Sequence, residues 1–355
     1  MTTRTTTMPT AAERGGDGTP IATELVSVVT PCRDAAPWVA ETIRSVLAQR
    51  HPAVEHIVVD DASRDGSWEA IAAFGDRVRA VRLDRNVGGG AARNHGASLA
   101  RGTYVMFLDA DDVLAPDALA SLVAALRAGG GDLAACRWSR LRADRRGRWS
   151  AVSPHVPQPR AGGANLLRAW LEGAWIPPCA LLWRRASYDR TGGWDERLAA
   201  NQDGDLVLRA LLLGQRLVVA EGGHAFYRAH DGPSVGTDHA DVRKLASRLA
   251  VLEKVEGLLA ASGGLDESRR SLGVAYQRLA LFAFPTDRAF ARRCLEHGER
   301  LAGRRAVVSR TRAGRLACRV LGLERKERLA AWFAARGLAT RVRRRASRTP
   351  SPLPE

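Results

Sequence analysis

The chain has 355 residues, 45% of them hydrophobic, with 54 basic against 38 acidic side chains and a formal net charge of +16. Residues 240–355 hold 26 basic and 11 acidic side chains, a net of +15, whereas residues 1–239 carry a net of only +1. This distribution excludes a uniformly basic nucleic-acid coat and favours an ordinary globular domain, long enough to bury a sizeable core, with a basic appendage.

Residues 1–24 are rich in Thr, Gly and Pro, lack the apolar stretch of a secretory signal, and are expected to be a disordered leader. The β-branched run Leu25–Pro31 predicts a buried parallel strand. Val39, Ile43, Val46 and Leu47 fall at helical spacing within Ala36–Gln49. Strands are expected at His56–Asp60, Val78–Leu83, Tyr104–Leu108 and Leu133–Trp138. Helices are expected at Gly66–Phe74, Gly89–Ala100 and Pro116–Leu126. Strands alternating with helices of about ten residues imply an α/β domain with a mostly parallel sheet.

Farther along, Arg140–Gly163 reads as a mobile loop, Ala164–Gly173 as a helix and Cys179–Trp183 as a strand. Asp203–Leu213 reads as a helix, and Leu217–Ala220 and Ala225–Tyr227 as two short strands. From Asp241 to about Arg345 the chain reads as helix alone, and Thr349–Glu355 as a Pro-rich tail. The expected organisation is therefore a leader (1–24), an α/β domain (25–238), a basic helical region (239–345) and a tail (346–355). No run approaches 18 uncharged apolar residues, so no membrane-spanning helix is expected. Five Cys without metal-ligand spacing favour a reducing compartment.

In open α/β sheets ligands bind beyond the carboxyl ends of the strands. Thr30, Pro31, Arg33 and Asp34 follow the first predicted strand, and Asp60, Asp61 and Ser63 the second. Asn86, Gly88, Arg93 and Asn94 follow the third, and Asp109, Asp111 and Asp112 the fourth. Three acids in four positions repel one another unless a counter-ion is present, which points to a hard divalent cation, Mn²⁺ or Mg²⁺. The competing reading is that Asp111 and Asp112 cap the following helix. Arg93, just inside a helix opened by glycines, is placed for a diphosphate or for a surface ion pair.

Together these residues carry a resemblance. Val26-Ser-Val-Val-Thr-Pro31, Ile57-Val-Val-Asp-Asp61-Ala-Ser63, Asn86-Val-Gly88, Ala92-Arg-Asn-His-Gly96 and Asp109-Ala-Asp-Asp112 resemble the first half of a family 2 glycosyltransferase. Gly192-Gly-Trp-Asp-Glu196, Asn201-Gln-Asp-Gly-Asp205 and Tyr227-Arg-Ala-His230 resemble its acceptor-side and closing segments. The resemblance covers about residues 25–236. It implies a GT-A fold, a nucleotide-diphosphate-sugar donor, a hydroxyl acceptor, a divalent metal and inversion at the anomeric carbon. By this resemblance Thr30, Pro31, Arg33, Asp61, Asn86, Gly88, Arg93 and Asp109 would bind the donor. Asp109, Asp111 and Asp112 would hold the metal, with His230 a further candidate, and Asp203 would be the general base, with Asp205 competing for that role.

Cys32 stands where the family usually has an aromatic residue, and Gln202 where Glu is common. Trp170, Trp175, Trp183 and Trp194 read either as sugar-stacking groups or as core. The alternatives to a glycosyltransferase are a sugar-nucleotide nucleotidyltransferase and a non-catalytic nucleotide-sugar-binding protein. The Arg-rich stretch 304–348 reads either as a surface for an anionic membrane or as a solvated helical face. No nucleic-acid partner is expected, and the expected place is the cytoplasm, on or near the inner membrane face.

Overall fold

A computed structural model describes residues 24–144, 147–153, 166–230, 241–303 and 325–326. The expected leader, the expected tail, most of the Arg-rich stretch and part of the loop after Arg140 lie outside the described residues. In chain order the elements are β1 (Val26–Cys32), α1 (Val39–Leu47), β2 (Val54–Asp60), α2 (Ser67–Ala72), β3 (Arg79–Arg82), α3 (Gly89–Leu99) and β4 (Tyr104–Phe107). Then come β5 (Val113–Leu114), α4 (Ala118–Gly129), β6 (Leu133–Ala143), β7 (Trp149–Val152), α5 (Leu166–Leu171), β8 (Leu181–Arg184) and α6 (Arg185–Arg190). The chain continues through α7 (Gln202–Leu212), β9 (Leu217–Ala229), α8 (Val242–Ala261), α9 (Leu265–Ala283) and α10 (Arg288–Ala302).

The described residues fall into two compact units. The first gathers those of 1–162, 176–196 and 214–230; the second gathers those of 163–175, 197–213 and 231–355. All nine strands among the described residues belong to the first and form one sheet in the order β3-β2-β1-β4-β8-β6-β9-β5, with β7 paired to β6. β3, β2, β1 and β4 run parallel. β8 enters antiparallel to β4 and to β6, while β6 and β9 are parallel. This is the α/β architecture expected, with antiparallel pairings added in its second half.

β1 lies between β2 and β4, which is why its sequence is a continuous apolar run rather than an alternation. α1 covers the sheet through Val39, Thr42, Ile43 and Val46, a helical stripe packed near Cys32, Val58, Ile71 and Phe74. The position where the family usually places an aromatic residue is therefore a buried core thiol here, and burial pushes the Cys32 pKa up to about 12. α3 packs against the same sheet so closely that a Cβ on Gly96 would strike the Val29 and Val59 side chains.

Several segments differ from the sequence expectation. The two short strands expected at 217–227 are one strand, β9, because the chain passes through Gly222-Gly223 with a register shift rather than a break. β5, β7 and α6 were not legible, being two to six residues long and held by tertiary pairing. The second unit contains α5 and α7 together with α8, α9 and α10, so it recruits two segments that precede residue 239.

Replacing Gly96 by Val should lower the unfolding free energy by about 1–3 kcal/mol through overpacking. Denaturant titration of the purified variant measures this, and a wild-type midpoint would show that α3 has room to shift.

Candidate functional site

β4 is buried along its whole length and delivers Asp109, Asp111 and Asp112 to the carboxyl edge of the sheet. Their carboxylate oxygens lie within 4.8 Å of one another. The turn is closed by the Asp112 amide donating to the Asp109 carbonyl at 3.0 Å. α4 begins only at Ala118, with Asp117 at its cap position, so Asp111 and Asp112 do not cap that helix.

Asp112 is fully buried. Its Oδ1 accepts the Arg228 amide at 2.9 Å. Its Oδ2 has no N–H or O–H donor among the described residues, and the Cys179 thiol is its polar neighbour. Burial, reinforced by Asp111 and Asp109, pushes the Asp112 pKa well above the usual carboxylate range. An all-oxygen set that includes a buried acceptor without such a donor suits a hard divalent cation, which would supply the missing counter-charge. His230 joins the cluster through Nε2, 3.0 Å from Asp111 Oδ2.

On the other flank, the Arg93 guanidinium bonds to Asp109 Oδ1 at 2.5 Å and lies 4.5 Å over the Trp194 ring. The neighbouring Asn94 fixes that ring in place. It accepts from the Trp194 amide at 2.9 Å and donates to the Trp194 carbonyl at 2.9 Å and to Glu196 Oε1 at 2.8 Å. The Tyr188 hydroxyl also donates to it, at 3.1 Å. One amide thus ties α3 to the Gly-Gly-Trp-Asp-Glu segment, a pairing that sequence reading left unseen.

Thr30 and Asp61 are both buried. Thr30 Oγ1 lies 2.9 Å from His56 Nε2, and burial holds the His56 pKa down to about 3, so the ring is neutral. Pro31 is partly exposed beside them. Both carboxylate oxygens of Asp61 are already engaged, accepting the Val87 amide at 2.7 Å and the Gly88 amide at 2.9 Å. Asn86 Oδ1 also accepts the Gly88 amide, at 3.1 Å. Gly88 sits at φ +92°, where any other residue would be strained, and opens α3. Arg33 donates to the Asp61 carbonyl at 2.5 Å and pairs with Asp34.

In the second unit, Asp203 is the second residue of α7 and is partly exposed. Its Oδ2 accepts the Trp175 indole N–H at 2.5 Å, a contact absent from the sequence reading. Asp205, the competing acid, is 1% exposed and ion-paired with Arg209 at 2.7 Å and Lys254 at 2.6 Å. Asp205 is therefore committed to the interior of the helical unit. Trp170, Trp183 and Trp194 are buried, and of the four only Trp175 presents a partly open ring.

Residues 27–191 match the family model described as Glycosyl transferase family 2. The succinoglycan biosynthesis protein ExoO of Rhizobium meliloti is 30% identical over 244 residues, covering 66% of this chain and 66% of that protein. The putative teichuronic acid biosynthesis glycosyltransferase TuaG of Bacillus subtilis is 42% identical over 98 residues, covering 27% of this chain and 39% of that protein. The chain thus spans less than two thirds of the TuaG length and about two thirds of the ExoO length. The structure of S. aureus TarS 1–349 in complex with UDP-GlcNAc superposes with a TM-score of 0.55 at 16% identity, covering 79% of this chain and 90% of that one. This likeness concerns the fold.

Asn94→Ala removes an amide that makes four hydrogen bonds and should lower stability by about 2–4 kcal/mol, at roughly 1 kcal/mol for each bond lost. Thermal and denaturant unfolding measure it; a change below 0.5 kcal/mol would mean that α3 and the Trp194 segment hold together without Asn94.

Proposed function

The chain belongs to glycosyl transferase family 2, and from that premise we propose that it moves a sugar from a nucleotide-diphosphate donor to a hydroxyl acceptor, inverting the anomeric carbon, in the synthesis of a cell-surface polysaccharide. The observation that carries this reading is the juxtaposition at one strand end. Arg93, in the second turn of α3, stands against three carboxylates gathered within 4.8 Å. Cation and anion binders side by side suit a diphosphate with its divalent counter-ion, and the α3 N-terminus adds partial positive charge. The ExoO and TuaG relatives, with printed roles in succinoglycan and teichuronic acid synthesis, support the polysaccharide reading.

In this reading Asp109, Asp111 and Asp112 would hold Mn²⁺ or Mg²⁺, with His230 beside them, and the ion would supply Lewis-acid stabilisation to the departing diphosphate. Arg93 binds the same diphosphate. When donor arrives, its guanidinium exchanges part of the Asp109 contact for phosphate oxygens. Thr30, Pro31, Arg33, Asp61, Asn86 and Gly88 form the nucleoside end. Asp61 holds the Val87-Gly88 amides there, one on each carboxylate oxygen.

Asp203 removes the proton from the acceptor hydroxyl as the new bond forms. The Trp175 indole orients its carboxylate, and the ion-paired Asp205 leaves Asp203 as the acid of that motif open to an acceptor. No helix among the described residues is long and apolar enough to cross a membrane. The net charge of +15 over residues 240–355 supports attraction to an anionic membrane surface that carries the acceptor.

Asp203→Asn should lower kcat about 10²–10⁴-fold with nucleotide-diphosphate affinity nearly unchanged, as expected for loss of a general base. Steady-state transfer assays over a panel of nucleotide sugars, paired with calorimetric binding, test this; unchanged turnover would remove Asp203 from the mechanism. Chelation should abolish transfer and added Mn²⁺ should restore it, whereas full activity in excess chelator would eliminate the metal. Full-length protein should co-sediment with vesicles containing anionic lipid and be released by salt, and equal binding to neutral vesicles would argue against the electrostatic reading.

A further inference from the structure

Arg228 lies near the end of β9, and its side chain is 1% exposed. A buried guanidinium is costly unless its charge and its N–H groups are met. Here the charge and two of the five N–H groups are met by a built surround. Nε donates to the Asp111 carbonyl at 2.7 Å, and one terminal nitrogen donates to Glu41 Oε2 at 2.6 Å. The guanidinium carbon lies 4.7 Å from the Trp38 ring centroid and 4.6 Å from that of Trp149. The two indoles meet edge to face, 5.3 Å apart at 83°. The backbone amide of the same residue donates to Asp112 Oδ1 at 2.9 Å.

One residue therefore grips the acidic turn at two successive positions, Asp111 through its carbonyl and Asp112 through its carboxylate. Two residues later His230 touches Asp111 Oδ2 and stacks on Trp38, with centroids 5.8 Å apart. The turn between Asp109 and Asp112 is short, closed by a single backbone bond. Carboxylates bind a cation tightly only when held at fixed spacing, and the partners that orient the ligands set affinity. Lys in place of Arg228 would keep the charge but lose the planar fork and the stacked face.

We propose that Arg228 is a positioning residue for the cation site, and that Trp38 and Trp149 clamp its guanidinium so that the Asp111-Asp112 turn holds one ligand geometry. This rests on the reading that the three carboxylates bind a divalent cation. Trp149 belongs to β7, which among the described residues pairs only with β6, so it offers a way to loosen the clamp without touching the acidic turn.

The test is calorimetric titration of Mn²⁺ into the full-length protein without donor, with thermal unfolding of each variant alongside. Trp149→Leu and Arg228→Lys should weaken Mn²⁺ binding about 10–100-fold, the range for loss of a ligand-orienting partner, at a melting temperature close to wild type. Trp149→Tyr, which keeps an aromatic face, should recover most of that affinity. Wild-type Mn²⁺ affinity in Trp149→Leu would overturn the proposal, and so would equal losses in Trp149→Leu and Trp149→Tyr. If Arg228→Lys fails to fold, the Trp149 pair decides alone. Absence of Mn²⁺ binding by the wild type would instead overturn the cation-site reading, and this proposal with it.

Discussion

Three carboxylates held within 4.8 Å at the end of a buried strand repel one another, and the surroundings of β4 answer that repulsion. Arg93 lies against Asp109 from the α3 side. Arg228 holds the Asp111 carbonyl and the Asp112 carboxylate from the β9 side. β1 and β8 flank the strand that leads into the turn. With Asp112 fully buried, the charge is not relieved by water, which is why its pKa is driven upward. A divalent cation would relieve the same strain, so the electrostatic tension is itself what favours a cation at this turn.

Much of what the sequence motifs specify is architecture. Asp61 receives two backbone amides and shapes the turn that opens α3. Asn94 fastens that helix to the Trp194 segment, and Trp194 in turn supports the Arg93 guanidinium. Gly96 lets the helix approach β1. The Arg93 guanidinium is thus held by Asp109 and the Trp194 ring, and Asn94 fixes the Trp194 backbone. Within the second unit the same economy applies to Asp205, which ties α7 to α8 through Lys254, while Asp203 accepts the Trp175 indole N–H.

The parallel strands β1, β2 and β4 were legible as apolar runs, whereas β3, Arg79-Ala-Val-Arg82, was legible mainly from its place in the strand-helix alternation. β5, β7 and α6 were not legible, since such short elements draw their stability from pairing partners rather than from their own pattern. The strand β9 was read as two pieces because Gly222-Gly223 signals a break, and only its partner β6 shows that the strand runs on through a register shift.

By itself the sequence determined the fold class, the acidic turn, the placement of Arg93 at a glycine-opened helix and the concentration of positive charge after residue 239. These are local facts, carried by residue type and spacing along the chain. The tertiary structure committed Asp205 to ion pairs with Arg209 and Lys254 and excluded the capping role for Asp111 and Asp112. It also showed that each carboxylate oxygen of Asp61 accepts a backbone amide and brought Trp38, Trp149 and Arg228 together around the acidic turn. Apart from the capping role and the Asp205–Arg209 pair, which are local, these outcomes depend on burial and on partners tens to nearly two hundred residues away in the chain, and neither composition nor period records which distant groups will meet.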